Sequence, residues 1–178
     1  MLLPEAMSDA ALSRSPIVKS DHHTLPLGSW RVPAYRVCLV RDASVRLEER
    51  PQLRDAPAAV RVILPLRSAQ EDGVEHFGVL LLDIKHRIIG SLEISVGSLT
   101  GSLVHPREVF GPALAHKAAA LILFHNHPSG DPEPSLEDLT LTRRLVAGGQ
   151  LLGIEVLDHI VVGDGTERWV SLRDRAAL

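Results

Sequence analysis

The stretch Ala119–Asp138, AALILFHNHPSGDPEPSLED, reads in three parts. Ala119–Phe124 is the most apolar segment of the chain and has the length of a central strand. Asn126–Pro134 carries Pro128, Gly130, Pro132 and Pro134, which exclude helix and sheet alike and predict a stiffened loop. From Ser135, Leu139, Thr142, Leu145, Val146 and Leu151 recur at helical spacing as far as about Leu152, and Gly153 is placed to end that helix. His125 and His127 stand two apart at the end of the strand, where the side-chain period of two sets both imidazoles on one face.

Outward from this unit, Glu75–Asp83 (EHFGVLLLD) and Arg87–Val96 read as an antiparallel pair around a polar turn at Ile84–His86. Asp55–Arg67 reads as a helix with Asp55 capping its first turn, Pro57 tolerated there and Pro65 placed to stop or kink it. His105–His116 is a second helix, with Pro106 in its first turn and Val109, Phe110, Ala113 and Leu114 on one face. Tyr35–Arg41 and Ser44–Glu49 read as strands, and Gly153–Gly163 and Arg168–Leu172 as closing strands. Residues 1–33 mix Pro, Ser, His and Leu without a period and form a flexible N-terminal arm, leaving 34–178 as one domain. Strands and helices alternate without a regular βαβ repeat, so the expected class is mixed α/β (α+β), with one curved sheet flanked by helices.

Length and composition bound the function. The 178 residues are 45% hydrophobic, enough for one proper core. Lys plus Arg number 19 against 22 Asp plus Glu, a formal net charge of -3, which argues against holding DNA by neutralising phosphates. Aromatics at 3% leave little to stack single strands on. The one cysteine, Cys38, excludes an internal disulfide and a cysteine-built metal site and fits a reducing cytoplasm. No apolar run approaches the roughly 18 residues of a membrane span, and the start lacks a secretory signal.

Histidine, at 9 residues, is the unusual feature. Asp138 falls in the first turn of the helix after the loop, so two imidazoles and a carboxylate can meet and leave a fourth tetrahedral position open, as a catalytic zinc requires. Each half has a plainer reading: HxH alone is commonly a surface or hydrogen-bonded pair, and Ser135 with Asp138 forms an S-x-x-D capping box. The pattern differs from other zinc sites. A deaminase needs P-C-x-x-C, which one cysteine cannot supply, and no H-E-x-x-H helix exists. A hydrolytic zinc also needs a carboxylate that takes a proton from water.

His125–Asp138 (HNHPSGDPEPSLED) resembles the JAMM motif of the MPN/JAB metalloprotease fold, in the form found in the RadC family. The resemblance extends through Val96–Phe110 (VGSLTGSLVHPREVF) and Gly153–Gly163 (GIEVLDHIVVG). It implies a JAB/MPN-like, cytidine-deaminase-like domain over 34–178. It also implies a helix-hairpin-helix region ahead of the domain in longer family members, where this sequence has a short polar arm.

For the site, the resemblance implies one zinc ion per chain on His125, His127 and Asp138, with Ser135 supporting the oxyanion. Glu75 matches the family's catalytic glutamate, and Glu108 is the competing choice. Glu137 points away from Asp138 around the helix and is solvated. His105, Asp158 and His159 take structural or hydrogen-bonding roles. His22, His23, His76 and the other histidines outside the pair need no special explanation.

The implied activity is zinc-dependent hydrolysis of an amide bond in a peptide or isopeptide-linked protein. Weak or no direct nucleic-acid binding and no membrane contact are expected, and a homodimer is allowed. The alternative of a different class is a DNA-repair or mobile-element accessory protein that binds a partner or nucleic acid without turnover. Against an inert scaffold stands the intact ligand set, which non-enzymatic MPN domains typically lose. A metal-dependent nuclease ranks last, because phosphodiester chemistry often uses two metals and only one ligand set is visible.

Overall fold

A computed structural model describes residues 52–67, 73–97 and 104–178. The expected arm at 1–33, the strands Tyr35–Arg41 and Ser44–Glu49, and Cys38 lie outside the described residues. The elements run α1 Ala56–Arg67, β1 His76–Leu82, β2 Ile88–Val96, α2 Pro106–Ala115, β3 Ala120–His127, α3 Leu136–Leu152, β4 Glu155–Gly163 and β5 Trp169–Ser171.

Local chemistry sets the ends of these elements. Asp55 Oδ1 accepts the Ala58 amide at 2.8 Å and starts α1, and Pro65 falls two residues before its end. At the β1–β2 turn, Asp83 Oδ1 accepts the amides of Lys85 and Arg87. Ser135 caps α3 through the Asp138 amide, and Gly153 closes it in the left-handed region at φ 68°, a conformation that penalises any side chain with a Cβ.

The five strands lie in the order β2-β1-β3-β4-β5. Only β3 and β4 are parallel, joined through α3, and the other pairs are antiparallel, so the sheet is mixed as expected. The apolar segment beginning at Ala119 does form the central strand. It is longer than expected, however: Asn126 and His127 belong to β3, and the stiff loop covers only 128–134. The apolar run stops at Phe124, but β1 still pairs His125, and β4 pairs His125, Asn126 and His127.

Alternation along the strands divides the core between two faces. Leu80, Leu82, Ala120, Ile122, Phe124, Ile160 and Val162 pack on α1 through Ala59, Val60 and Ile63. Phe77, Val79, Leu81, Leu121 and Leu123 pack on the other side against Val109, Phe110 and Ala113 of α2 and Leu141 and Leu145 of α3. His125 and His127 continue the odd-numbered row of β3, so both rise on the face that α3 covers. No helix among the described residues is long and apolar enough to cross a membrane.

Candidate metal centre

The start of α3 comes down over the end of β3, and Asp138, buried in the first helical turn, meets the two histidines. His125 Nε2 lies 3.3 Å from Asp138 Oδ1, His127 Nε2 lies 3.5 Å from Asp138 Oδ2, and the two Nε2 atoms are 3.1 Å apart. The same carboxylate completes the helix cap. Its Oδ2 accepts the Ser135 amide at 2.7 Å, while the Ser135 hydroxyl accepts the Asp138 amide at 3.1 Å. The capping box expected of S-x-x-D therefore forms, and it holds the same carboxylate that stands against the two histidines.

Glu75 arrives through sheet register. β1 runs antiparallel to β3 with Phe77 opposite His125, so two residues earlier Glu75 comes opposite His127. Its Oε1 lies 4.0 Å from His127 Nε2. One ligand atom from each of Glu75, His125, His127 and Asp138 lies within 4.8 Å of the others. Glu108 is not part of this group: it lies on α2, its side chain 58% exposed and paired with Arg107. Glu137 is exposed, as expected.

Hydrogen bonding fixes how His127 faces the group. Its Nδ1 lies 2.8 Å from the backbone carbonyl of Asp131, which can only accept, so Nδ1 carries the proton. The neutral ring therefore turns the lone pair of Nε2 inward, toward two carboxylates. A proton or a cation has to occupy such a point. The charges record the same demand. The hydrogen bond to Asp138 raises the His127 pKa above 6.5, against burial, which lowers it. Burial works to raise the Asp138 carboxyl, and hydrogen bonds from His125, His127 and Ser135 overcome it, leaving the pKa far below the ordinary carboxylate range. Two imidazoles with carboxylates form a nitrogen and oxygen donor set suited to zinc.

Around this group stand Asn126 and Thr142, for which the sequence suggested no role at the site, and the residues expected to be structural or hydrogen-bonding. Asn126, fully buried between the two histidines, accepts the His76 amide at 2.7 Å and donates to the Val74 carbonyl at 2.9 Å. Thr142, one turn beyond Asp138, is buried against His159. His159 does require an explanation, since its ring lies 2.8 Å from His125 Nδ1. Complete burial drives its pKa well below the ordinary histidine value and keeps it neutral. Asp158, by contrast, binds the C-terminal turn through the Ser171 hydroxyl and the Arg173 amide. His105 caps α2.

A family model described as the RadC-like JAB domain matches residues 54–177, which takes in every described strand and helix of the sheet and its layers. The chain belongs to the RadC-like JAB domain family. A UPF0758 protein of Desulfitobacterium hafniense is 57% identical over 104 residues, covering 58% of this chain and 45% of the relative. A UPF0758 protein of Methanosarcina mazei is 44% identical over 150 residues, covering 83% of this chain and 65% of the relative. This RadC-like chain thus spans less than two thirds of the curated relatives it matches.

Proposed function

We propose that this RadC-like JAB domain is a zinc-dependent amide hydrolase acting on a peptide or isopeptide-linked protein. The observation that carries the reading is the convergence of Glu75, His125, His127 and Asp138, whose ligand atoms lie within 4.8 Å of one another. His125, His127 and Asp138 would hold the ion. When bound, zinc supplies Lewis acidity that lowers the pKa of water and polarises a carbonyl oxygen.

The chain's own groups do the rest. Glu75, half-buried and outside the tight triangle of the other three, accepts a proton from the attacking water on its carboxylate and returns it to the leaving amine. Ser135 is exposed at the helix start, with its hydroxyl proton 2.7 Å-bonded to Asp138 Oδ2 in the resting state. Rotated toward a bound carbonyl, that hydroxyl donates to the oxyanion.

Metal analysis of the purified protein, combined with a peptide and isopeptide library screen, tests this. One zinc per chain is expected, and Glu75→Gln retains the zinc while losing about 10²–10⁴-fold in hydrolysis, the range for a general base. A protein that binds no zinc, or a Glu75→Gln variant with full activity, overturns the proposal. Titrating duplex and single-stranded DNA at two salt concentrations addresses the non-turnover alternative. No binding, or binding that is flat with salt, is expected from the net charge of -3.

A further inference from the structure

The His125 ring has two nitrogens, and only an unprotonated Nε2 can serve the centre. What sets that choice can be followed atom by atom. The Thr142 hydroxyl lies 2.6 Å from the backbone carbonyl of Asp138. A carbonyl only accepts, so the hydroxyl proton is spent there. Thr142 Oγ1 also lies 2.6 Å from His159 Nδ1, and with its own proton committed it must accept from that nitrogen. The neutral His159 ring then has its proton on Nδ1 and a lone pair on Nε2. That lone pair faces His125 Nδ1 at 2.8 Å, so His125 donates and its proton also sits on Nδ1. The remaining nitrogen, His125 Nε2, points its lone pair at Asp138 and His127.

We infer that Thr142 and His159 are positioning residues that hold His125 in the metal-ready tautomer, through a one-way chain from Asp138 C=O to Thr142 to His159 to His125. The inference rests on the proposed metal centre and deepens it. The chain begins on the backbone of one ligand and ends on the ring of another, so the cap of α3 and the end of β3 share a single proton order. Every side chain in it is sealed from water: Thr142, His125 and His159 are each 0% exposed. Solvent therefore cannot substitute for a missing partner or scramble the order. Phe77 closes the side, stacked 6.3 Å from His125 and edge-on 5.6 Å from His159. The two ligand histidines are thus handled alike, His127 by the Asp131 carbonyl and His125 by this longer route.

The order predicts what its loss does. Thr142→Val is nearly isosteric and removes the acceptor for His159 Nδ1–H. His159 is then free to carry its proton on Nε2 and donate to His125 Nδ1, which moves the His125 proton to Nε2, onto the face that must receive a cation. Thr142→Ser keeps the hydroxyl.

Two measurements test this on the full chain, with zinc as the probe. Competition against a chromophoric chelator is expected to show Thr142→Val binding zinc about 10–100-fold more weakly, the usual range for a partner that orients a ligand, with Thr142→Ser restoring the affinity. Long-range ¹⁵N–¹H correlation spectra of the metal-free protein are expected to show His125 and His159 as Nδ1–H tautomers in the wild type and in Thr142→Ser, and His159 with substantial Nε2–H form in Thr142→Val. Equal zinc affinity in wild type and Thr142→Val, or an Nε2–H His159 in the wild type, overturns the inference. If the wild type binds no zinc, the proposed function fails, while the tautomers of the metal-free protein still decide the proton order.

Discussion

Asn126 grips Glu75 by the peptide groups on either side of it. The carboxamide accepts the His76 amide, donates to the Val74 carbonyl and is itself held in one orientation by the Asp164 carboxylate. The middle residue of HNH therefore works on the opposite side of β3 from its two neighbours, and what it fixes is the backbone from which Glu75 projects. Asn126→Ala strips a buried clamp whose lost hydrogen bonds cost about 1–3 kcal/mol for each polar group left without that partner. Urea denaturation is expected to show an unfolding free energy lowered by roughly that sum, read as a lower midpoint at an unchanged slope. A variant as stable as the wild type shows that the clamp does not hold the segment.

The raised pKa of His127 gives metal binding a pH dependence of definite sign. In the metal-free protein, the pairing of protonated His127 with Asp138 contributes stability that is fully present below the ordinary value of 6.5 and is lost as pH rises through the raised folded value. A bound cation takes the place of that proton. Zinc affinity is therefore expected to rise with pH across this window, and binding near pH 6 to release about one proton from the site, fewer as pH increases. Calorimetry in two buffers of different ionisation heat reads the proton count, and a release that does not vary with pH contradicts the assignment.

Much of this arrangement was legible in the sequence because local rules and tertiary packing agree. The period of two placed His125 and His127 together, and the Ser135 cap and Gly153 stop bounded α3. What escaped depends on register between segments far apart. Local context favours Glu75, ahead of an apolar strand, over Glu108 in a helical turn only weakly, and the pairing of Phe77 with His125 is what brings Glu75 across from His127. Thr142 looks like any small polar residue on a helix face until the β3–β4 register sets Leu123 beside His159 and so delivers the imidazole. Asn126 marks the expected start of the loop because polarity ends an apolar strand in sequence, whereas here it finds its partners on Val74 and His76, where β1 begins, and on Asp164 just after β4.

Gly163 permits the loop that orients His127 to sit close. A Cβ at this position, at the end of β4, would meet the Gly130 carbonyl oxygen and lie 2.8 Å from its carbon. Gly163→Ala must push the 128–134 loop outward, which carries the Asp131 carbonyl away from His127 Nδ1. A cost of about 1–3 kcal/mol is expected from overpacking against backbone, together with weaker zinc binding. Thermal denaturation and the chelator assay check the two effects, and an unchanged zinc affinity would separate the loop from the orientation of His127.

Ser135 is the residue for which a chemical and an architectural role can be told apart. Its hydroxyl caps α3 through the Asp138 amide at 3.1 Å and donates to the Asp138 carboxylate at 2.7 Å, so it touches both the helix and the carboxylate that would hold the ion. Replacing a capping serine with alanine costs about 0.5–2 kcal/mol, and releasing the Asp138 carboxylate from its donor lowers metal affinity as well. Ser135→Ala is therefore expected to lower thermal stability and zinc affinity even without substrate. Ser135→Asn, whose side chain can also cap but presents a carbonyl oxygen toward the amide, should recover the stability and leave hydrolysis impaired. If Ser135→Ala matches the wild type in stability and zinc binding and fails only in turnover, the hydroxyl serves the oxyanion alone.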